Sequence, residues 1–337
     1  MSAPHPPRVL VVVLCETRAW KLTAASFLDH VVAATGADLA LCVGSQDRDP
    51  DNPFYERADY VWRYPEPADW GDAFEEVAGN RDWEVLLDLH DHFLGGIVHP
   101  VTGRRGASGA IVLFFREFLR QCLRDQGLLD AYDWFIITRS DFRWPSPHPD
   151  CALLDPNRLY VLDGEGYGGV SDRHTVIPQS LMPTYLEIVD PLFHSPEQLH
   201  RDLSEAWVRD GWESINPEVF LAFRMRALGL WERVVRIPYV PYSVREADGS
   251  SSWSLGVFDE DEGCHVKYPS ELQRSRIAAR FLPDQRAWAR YLSPLRGRRL
   301  RRQIDRAIAS DIARNGTRHG VFVSLSGPAA EADGTAR

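Results

Sequence analysis

The chain has no apolar stretch of bilayer-spanning length. Its early run over residues 9–14 is too short for a membrane helix or a signal-peptide core. A soluble protein is expected. The five cysteines, Cys15, Cys42, Cys122, Cys151 and Cys264, form no CxxC pair and no zinc-type spacing. They read as buried free thiols, which fits a reducing cytoplasm. Positive charge is in deficit: 38 Lys and Arg against 48 Asp and Glu give a net charge of -10. That balance supplies no broad basic footprint, so nucleic acid is not an expected partner. Also missing are a P-loop ending in GK[ST], a dinucleotide-binding glycine fingerprint, GxSxG, a Cys/His pair in a recognisable context, and any internal repeat.

What is present is a core-forming chain. With 337 residues, 44% of them hydrophobic, there is material for one large α/β domain or two small ones. Residues 8–14 (RVLVVVL) form an almost unbroken apolar strand, as buried parallel strands do. Residues 23–35 place Phe27, Val31 and Ala34 on one helical face and stop at Gly36. A second strand, 38–43, makes the opening strand–helix–strand, the unit of right-handed parallel crossovers. Alternation predicts a third strand at Tyr60–Tyr64, then a helix at Trp70–Ala78, with 83–89 open between the two. Ser108 caps an amphipathic helix over 109–126, whose apolar face is Ile111, Phe114, Phe115, Phe118 and Leu119. Strands follow at Trp134–Thr138 and 158–162, and helices at 179–189, Pro196–Asp210 and 217–228. Asn216 caps the last of these, with Pro217 at its first position and Glu218 in its first turn. Prolines keep the extended segment 234–244 at a sheet edge or outside it, and a basic helix is expected over 296–314.

The most informative stretch is 132–144 (YDWFIITRSDFRW), a buried strand that ends on Arg139-Ser140-Asp141. Charges at the carboxyl end of a strand lie in the crevice where open α/β sheets bind ligands. Asp141 there can hold a divalent metal and Arg139 a phosphate; the plainer alternative is a turn-forming aspartate. Arg18, just beyond the first strand, faces the same crevice and can contact a base or diphosphate. In the glycine-rich segment 163–173, Gly168 and Gly169 permit a close backbone approach to a ligand, with Asp172 and Arg173 immediately after. A solvent loop accounts for that segment equally well. Glu218 suits the helix dipole, or serves as a general base. Asp88, His90, Asp91 and His92 have the composition of a metal site without its spacing, and a loop or substrate contact is preferred. His265, beside Lys267, reads as a surface histidine.

These segments together resemble a group of glycosyltransferase-like proteins of the GT-A fold. VLCETRAWKLTAASF resembles their opening strand, its arginine-bearing turn and the aromatic that follows. SGAIVLFFREFL resembles the helix before their central motif, and YDWFIITRSDFRW resembles the Arg-x-Asp element that stands where other members carry Asp-x-Asp. GYGGVSDRHTVIP and INPEVFLAFRMRALGL resemble their Gly-Gly-x-x-Asp-Arg segment and late Asn-x-Glu helix. The likeness spans residues 8–244. It implies a nucleotide-sugar donor with Mn²⁺ or Mg²⁺, Asp141 near metal and diphosphate, and Arg18 and Arg139 near the nucleotide. It places Asp172 and Glu218 near the donor sugar or acceptor. Two departures stand out. Glu16 replaces the expected glycine, and Arg139 replaces the first Asp of Asp-x-Asp, leaving one acidic ligand. One carboxylate suits a weakly held ion completed by the diphosphate, or a metal-free enzyme that uses arginines.

The expected fold class is therefore α/β, GT-A-like (Rossmann-like), with a mixed, mostly parallel sheet flanked by helices and a C-terminal helical extension. Residues 1–7 are expected as a flexible N-terminus. Residues 8–290 form a single catalytic domain, with its nucleotide half at 8–145 and its sugar and acceptor half at 146–290. A basic helix and short extended segment occupy 291–325, and a disordered tail 326–337. The expected activity is metal-assisted transfer of a sugar to an acceptor hydroxyl, on a carbohydrate or small molecule, in the cytoplasm. Arg18, Arg139, Asp141, Gly168, Gly169 and Arg173 hold the donor, and Asp172 or Glu218 is the base if configuration inverts. A nucleotidyltransferase-like enzyme is one alternative, although Glu16-Thr17-Arg18 lacks its usual glycine loop; a non-catalytic carbohydrate-binding protein is another. Arg296, Arg298, Arg299, Arg301, Arg302 and Arg306 offer a peripheral membrane contact, against the plainer reading of a solvated helix.

Overall fold

Alternation along β1 (Val9–Cys15) sends Val9, Val11 and Val13 to one face and Leu10, Val12 and Leu14 to the other, and each set enters its own buried core. A strand buried on both faces needs apolar residues at every position, which is why RVLVVVL shows no polar alternation. The computed structural model describes residues 5–46, 51–89, 93–99, 101, 103–104, 106–247, 255–294 and 296–315. His90, Asp91 and His92, the first four residues of the expected N-terminal segment, and the expected tail lie outside the described residues.

After β1 come α1 (Trp20–Phe27), continued by a π-type turn over Leu28–Ala33, then β2 (Asp38–Gly44), β3 (Tyr60–Tyr64), α2 (Trp70–Ala78) and α3 (Gly109–Asp125). Next are β4 (Trp134–Thr138), β5 (Phe142–Arg143), β6 (Leu159–Leu162), β7 (His174–Pro178), α4 (Pro196–Asp210) and α5 (Pro217–Ala227). The last part holds β8 (Val234–Ile237), β9 (Tyr242–Arg245), β10 (Val257–Asp259), β11 (Cys264–Val266), α6 (Pro269–Phe281), α7 (Gln285–Leu292) and α8 (Gly297–Asn315). Seven strands form one sheet in the order β8-β6-β7-β4-β1-β2-β3. Only β7 runs against its neighbours, β4 and β6. A second, antiparallel sheet has the order β10-β11-β9-β5. Helices α2, α3 and α5 contribute to the core on one face of the large sheet; α1, α6, α7 and α8 contribute to the other. This is the α/β architecture that the sequence led us to expect: a mixed, mostly parallel sheet flanked by helices, with a C-terminal helical part.

Several local expectations are corrected. Residues 179–189 are helical as expected, but as three short consecutive pieces, a 3₁₀ helix Gln179–Leu181, an α-helix Met182–Leu186 with Pro183 in its first turn, and a 3₁₀ helix Glu187–Val189. Residues 83–89 adopt a 3₁₀ helix, Asp82–Asp88. Ser108 occupies the N-cap position of α3 without a side-chain capping bond. Segment 234–244 divides: β8 takes the edge of the large sheet, Pro238 and Pro241 turn the chain, and β9 joins the small sheet. Strand β7 and helices α6 and α7 were not foreseen. The polar residues of β7 obscured it; His174 is buried and meets the Thr138 hydroxyl at 3.0 Å.

In the basic helix α8 the narrow apolar stripe is used by the domain itself. Its stripe of Leu300, Ile304 and Ile308 packs into the core with Trp288 and Tyr291, and Arg301 donates to the Tyr291 carbonyl at 2.8 Å. With the apolar face committed to the domain, a peripheral membrane contact rests on the arginines alone. Arg296, Arg298, Arg299, Arg302 and Arg306 project to solvent. Among the described residues, no helix is long and apolar enough to cross a membrane.

Candidate active site

The chain leaves β1 towards β2 on one side, while β4 lies on β1's other side, so a crevice opens where the two strands end. A pocket of about 550 Å³ occupies it, lined by Leu14, Cys15 and Glu16 from the end of β1 and by Ile137, Thr138 and Arg139 from the end of β4. Ser140 ties the two strand ends together, its hydroxyl donating to the carbonyls of Glu16 at 2.9 Å and Arg18 at 3.1 Å. Three non-glycine residues on the pocket wall, Cys15, Ala107 and Tyr167, have φ of 79°, 78° and 40°. Such backbone costs about 1–3 kcal/mol per residue, and it concentrates at binding sites.

Asp141 lies beneath this wall with no exposed surface. Arg139 grips it with both arms, Nε to Oδ1 at 3.1 Å and Nη2 to Oδ2 at 2.9 Å. Arg245, from β9, reaches Oδ2 at 2.6 Å, and Arg18 approaches it at 3.5 Å. Burial opposes ionisation here, but Arg139, Arg18 and Arg245 outweigh it and hold the carboxyl well below the usual carboxylate range. This donor set does not fit the expected metal. Both oxygens of Asp141 face guanidinium groups, and no group of three or more His, Cys, Asp or Glu that could hold a metal comes together among the described residues. Asp88 is exposed in its 3₁₀ turn.

Arg18, Arg139, Asp172, Arg173 and Glu218 all line the one pocket. Gly168 and Gly169 do not; protein backbone, rather than a ligand, fills the space beside Gly169. A Cβ at Gly169 would sit 1.9 Å from the Glu218 carbonyl oxygen, and Val170 N–H donates to that same oxygen at 3.1 Å. The glycines let the loop press on the start of α5, where Asn216 accepts from Val219 N–H at 2.8 Å and donates to the Tyr167 carbonyl at 3.0 Å. The result is a fixed position for Glu218. Burial, reinforced by the charge of Asp172, pushes the Glu218 carboxyl up to about 8, against the pull of Arg173. Arg173 is buried between Glu271, at 2.7 Å, and Glu165, at 3.4 Å, so its charge is largely answered within the protein.

Residues not foreseen complete the wall. Arg116, on α3, is buried and donates to the carbonyls of Val112 at 3.2 Å and Asp172 at 2.9 Å, while its Nε makes no hydrogen bond among the described residues. Arg245 has a similarly orphaned Nε. Lys267, directly after β11, lines the pocket beside Tyr268. Arg116 looked like an ordinary helix-surface charge, and the small sheet that delivers Arg245 and Lys267 left almost no pattern in the sequence. His265 stacks edge-on against exposed Phe258 instead. Cys15 also lines the pocket, but burial pushes its thiol up to about 12, which removes it as a nucleophile.

No family model matches this chain, and no curated protein does. Among solved structures, mouse xyloside xylosyltransferase 1 in its apo form is similar, at 8% identity over 70% of this chain and 86% of that one, with a TM-score of 0.39.

Proposed function

We propose that the chain is a glycosyltransferase that moves a sugar from a nucleoside-diphosphate donor to an acceptor hydroxyl. The observation that carries this reading is the pocket at the β1–β4 switch point, where arginines and a lysine share one cavity with the carboxylates Asp172 and Glu218. As the sugar–phosphate bond breaks, negative charge grows on the departing diphosphate, and preorganised cations stabilise it best where water is excluded. Arg18, Arg139, Arg116 and Lys267 supply that field in the proposal, in place of a divalent ion. Asp172 and Glu218 take the acceptor side. Burial and the charge of Asp172 keep Glu218 protonated near neutrality, so Glu218 holds a sugar hydroxyl as a donor and Asp172 accepts the acceptor's proton.

The test is thermal stabilisation of the protein by UDP, GDP, ADP and CDP, each with Mn²⁺ and with EDTA, followed by hydrolysis assays with sugar conjugates of whichever nucleotide binds. A shift with one nucleotide that survives EDTA supports arginine-based binding. A shift that requires Mn²⁺ returns the metal to the mechanism. No shift with any nucleotide removes the donor reading.

A further inference from the structure

Among the described residues six cationic side chains line the pocket, and their ion pairs divide them. Arg18 is paired with Glu16 and Asp141, Arg139 and Arg245 with Asp141, and Arg173 with Glu165 and Glu271. Arg116 is held by backbone carbonyls. Lys267 is 9% exposed, and its Nζ has neither a hydrogen bond nor an ion pair among the described residues. It sits 4.7 Å from the centre of the Tyr268 ring. Composition sharpens the contrast: of the chain's 38 basic residues only Lys21 and Lys267 are lysines. Arginine keeps its charge at every physiological pH, whereas a buried lysine can release its proton.

We propose that Lys267 is a switchable cation, which takes a proton from solvent as a phosphate-bearing ligand enters the pocket and gives it back when that ligand leaves. The inference rests on reading the pocket as a nucleotide-sugar site. Burial, followed by the charges of Arg173, Arg139 and Arg245, brings the amine down to about 6 against the opposing pull of Asp141. Glu218 and Glu165 interact with it through space: burial raises both carboxyls, and a charged amine opposes that rise. In the empty pocket at neutral pH the amine is therefore uncharged, which relieves repulsion among the arginines. An entering diphosphate reverses the balance and raises the amine's proton affinity. Binding then takes up a proton, and affinity falls as pH rises above the free amine's value, by roughly tenfold per pH unit. A neutral amine after departure of the product weakens the site's hold on a released diphosphate.

Calorimetric titration of the full chain with inorganic pyrophosphate at pH 6, 7 and 8 tests this, comparing wild type with Lys267→Arg and Lys267→Met. The probe's own titration is common to all three proteins and cancels in ratios of affinity, and carrying all three on a Glu218→Gln background removes the titration of Glu218, which the charge of Lys267 affects. The ratio of wild type to Lys267→Arg should fall roughly tenfold from pH 7 to pH 8. A constant ratio overturns the switch and leaves the nucleotide reading standing. Absence of pyrophosphate and of nucleoside-diphosphate binding by every protein at every pH overturns both. A measurement on wild type alone guards against misfolded variants. The rate of amine modification by trinitrobenzenesulfonate, mapped to Lys267, should show an inflection near 6 that moves upward with pyrophosphate. An ordinary inflection at Lys267 without ligand refutes the proposal.

Discussion

On the wall built from the ends of β1 and β4, the charges have partners: Asp141 is enclosed by Arg139, Arg245 and Arg18, and the loops that carry them are laced by Ser140. On the wall built from α5 and the end of β11, Glu218 and Lys267 line the cavity without an ion pair among the described residues, and burial displaces the protonation of both. The same surroundings thus produce two kinds of charge. Paired charges fix geometry, because removing either member strands the other in a dry place. Unpaired ones respond to what enters, and perturbed groups in a cleft are where chemistry is expected.

The largest test of the contrast is Asp141→Ala. It leaves three guanidinium groups without their common partner and should cost about 3–5 kcal/mol of stability, read from urea unfolding. A loss below about 1 kcal/mol would mean that water in the pocket already screens the cluster. Next is Gly169→Ala, whose methyl meets the Glu218 carbonyl oxygen at 1.9 Å and cannot be relieved by a side-chain rotation. About 1–3 kcal/mol should be lost, together with a displaced Glu218 that lowers turnover.

Glu218→Gln acts on the other wall and should have the opposite sign at high pH. Because the folded protein holds this proton more tightly than the unfolded chain, Glu218 reduces stability progressively as pH rises from about 4.5 to about 8. The glutamine variant should therefore be more stable than wild type at pH 8, by roughly 1–2 kcal/mol after screening by pocket water, and equal to it below pH 4. Thermal unfolding across that range decides it, and a constant difference would assign Glu218 no titration there. The smallest effect is expected for Arg299→Gln on the exposed side of α8. It should change stability by less than about 0.5 kcal/mol and leave binding to anionic vesicles no different from wild type. Vesicle binding that depends on Arg299 would support the peripheral membrane contact.

Much of the large sheet was readable from the chain. Strands β1, β2, β3 and β4 are continuous or alternating apolar runs with glycine or polar breaks, and Pro196–Asp210 and Asn216 carry ordinary start and stop signals. The small sheet was not, because β5, β9, β10 and β11 have between two and four residues each, too few for a period to show. The site divides along the same line. Arg18, Arg139, Asp172, Arg173 and Glu218 stand at strand ends or a helix start, where position itself suggests a ligand, and all five reach the pocket.

By itself the sequence determined the alternation of strands and helices and the strand ends that open the crevice, since burial and chain direction follow from local apolar pattern. Only the tertiary structure decided how each charge is used. Arg245 arrives from a strand about a hundred residues beyond Asp141 and takes up one of its oxygens, while Lys267 comes to rest near arginines with no ion pair among the described residues. Electrostatic energy depends on distance through space and on the water excluded, and neither quantity is written in the order of residues along a chain.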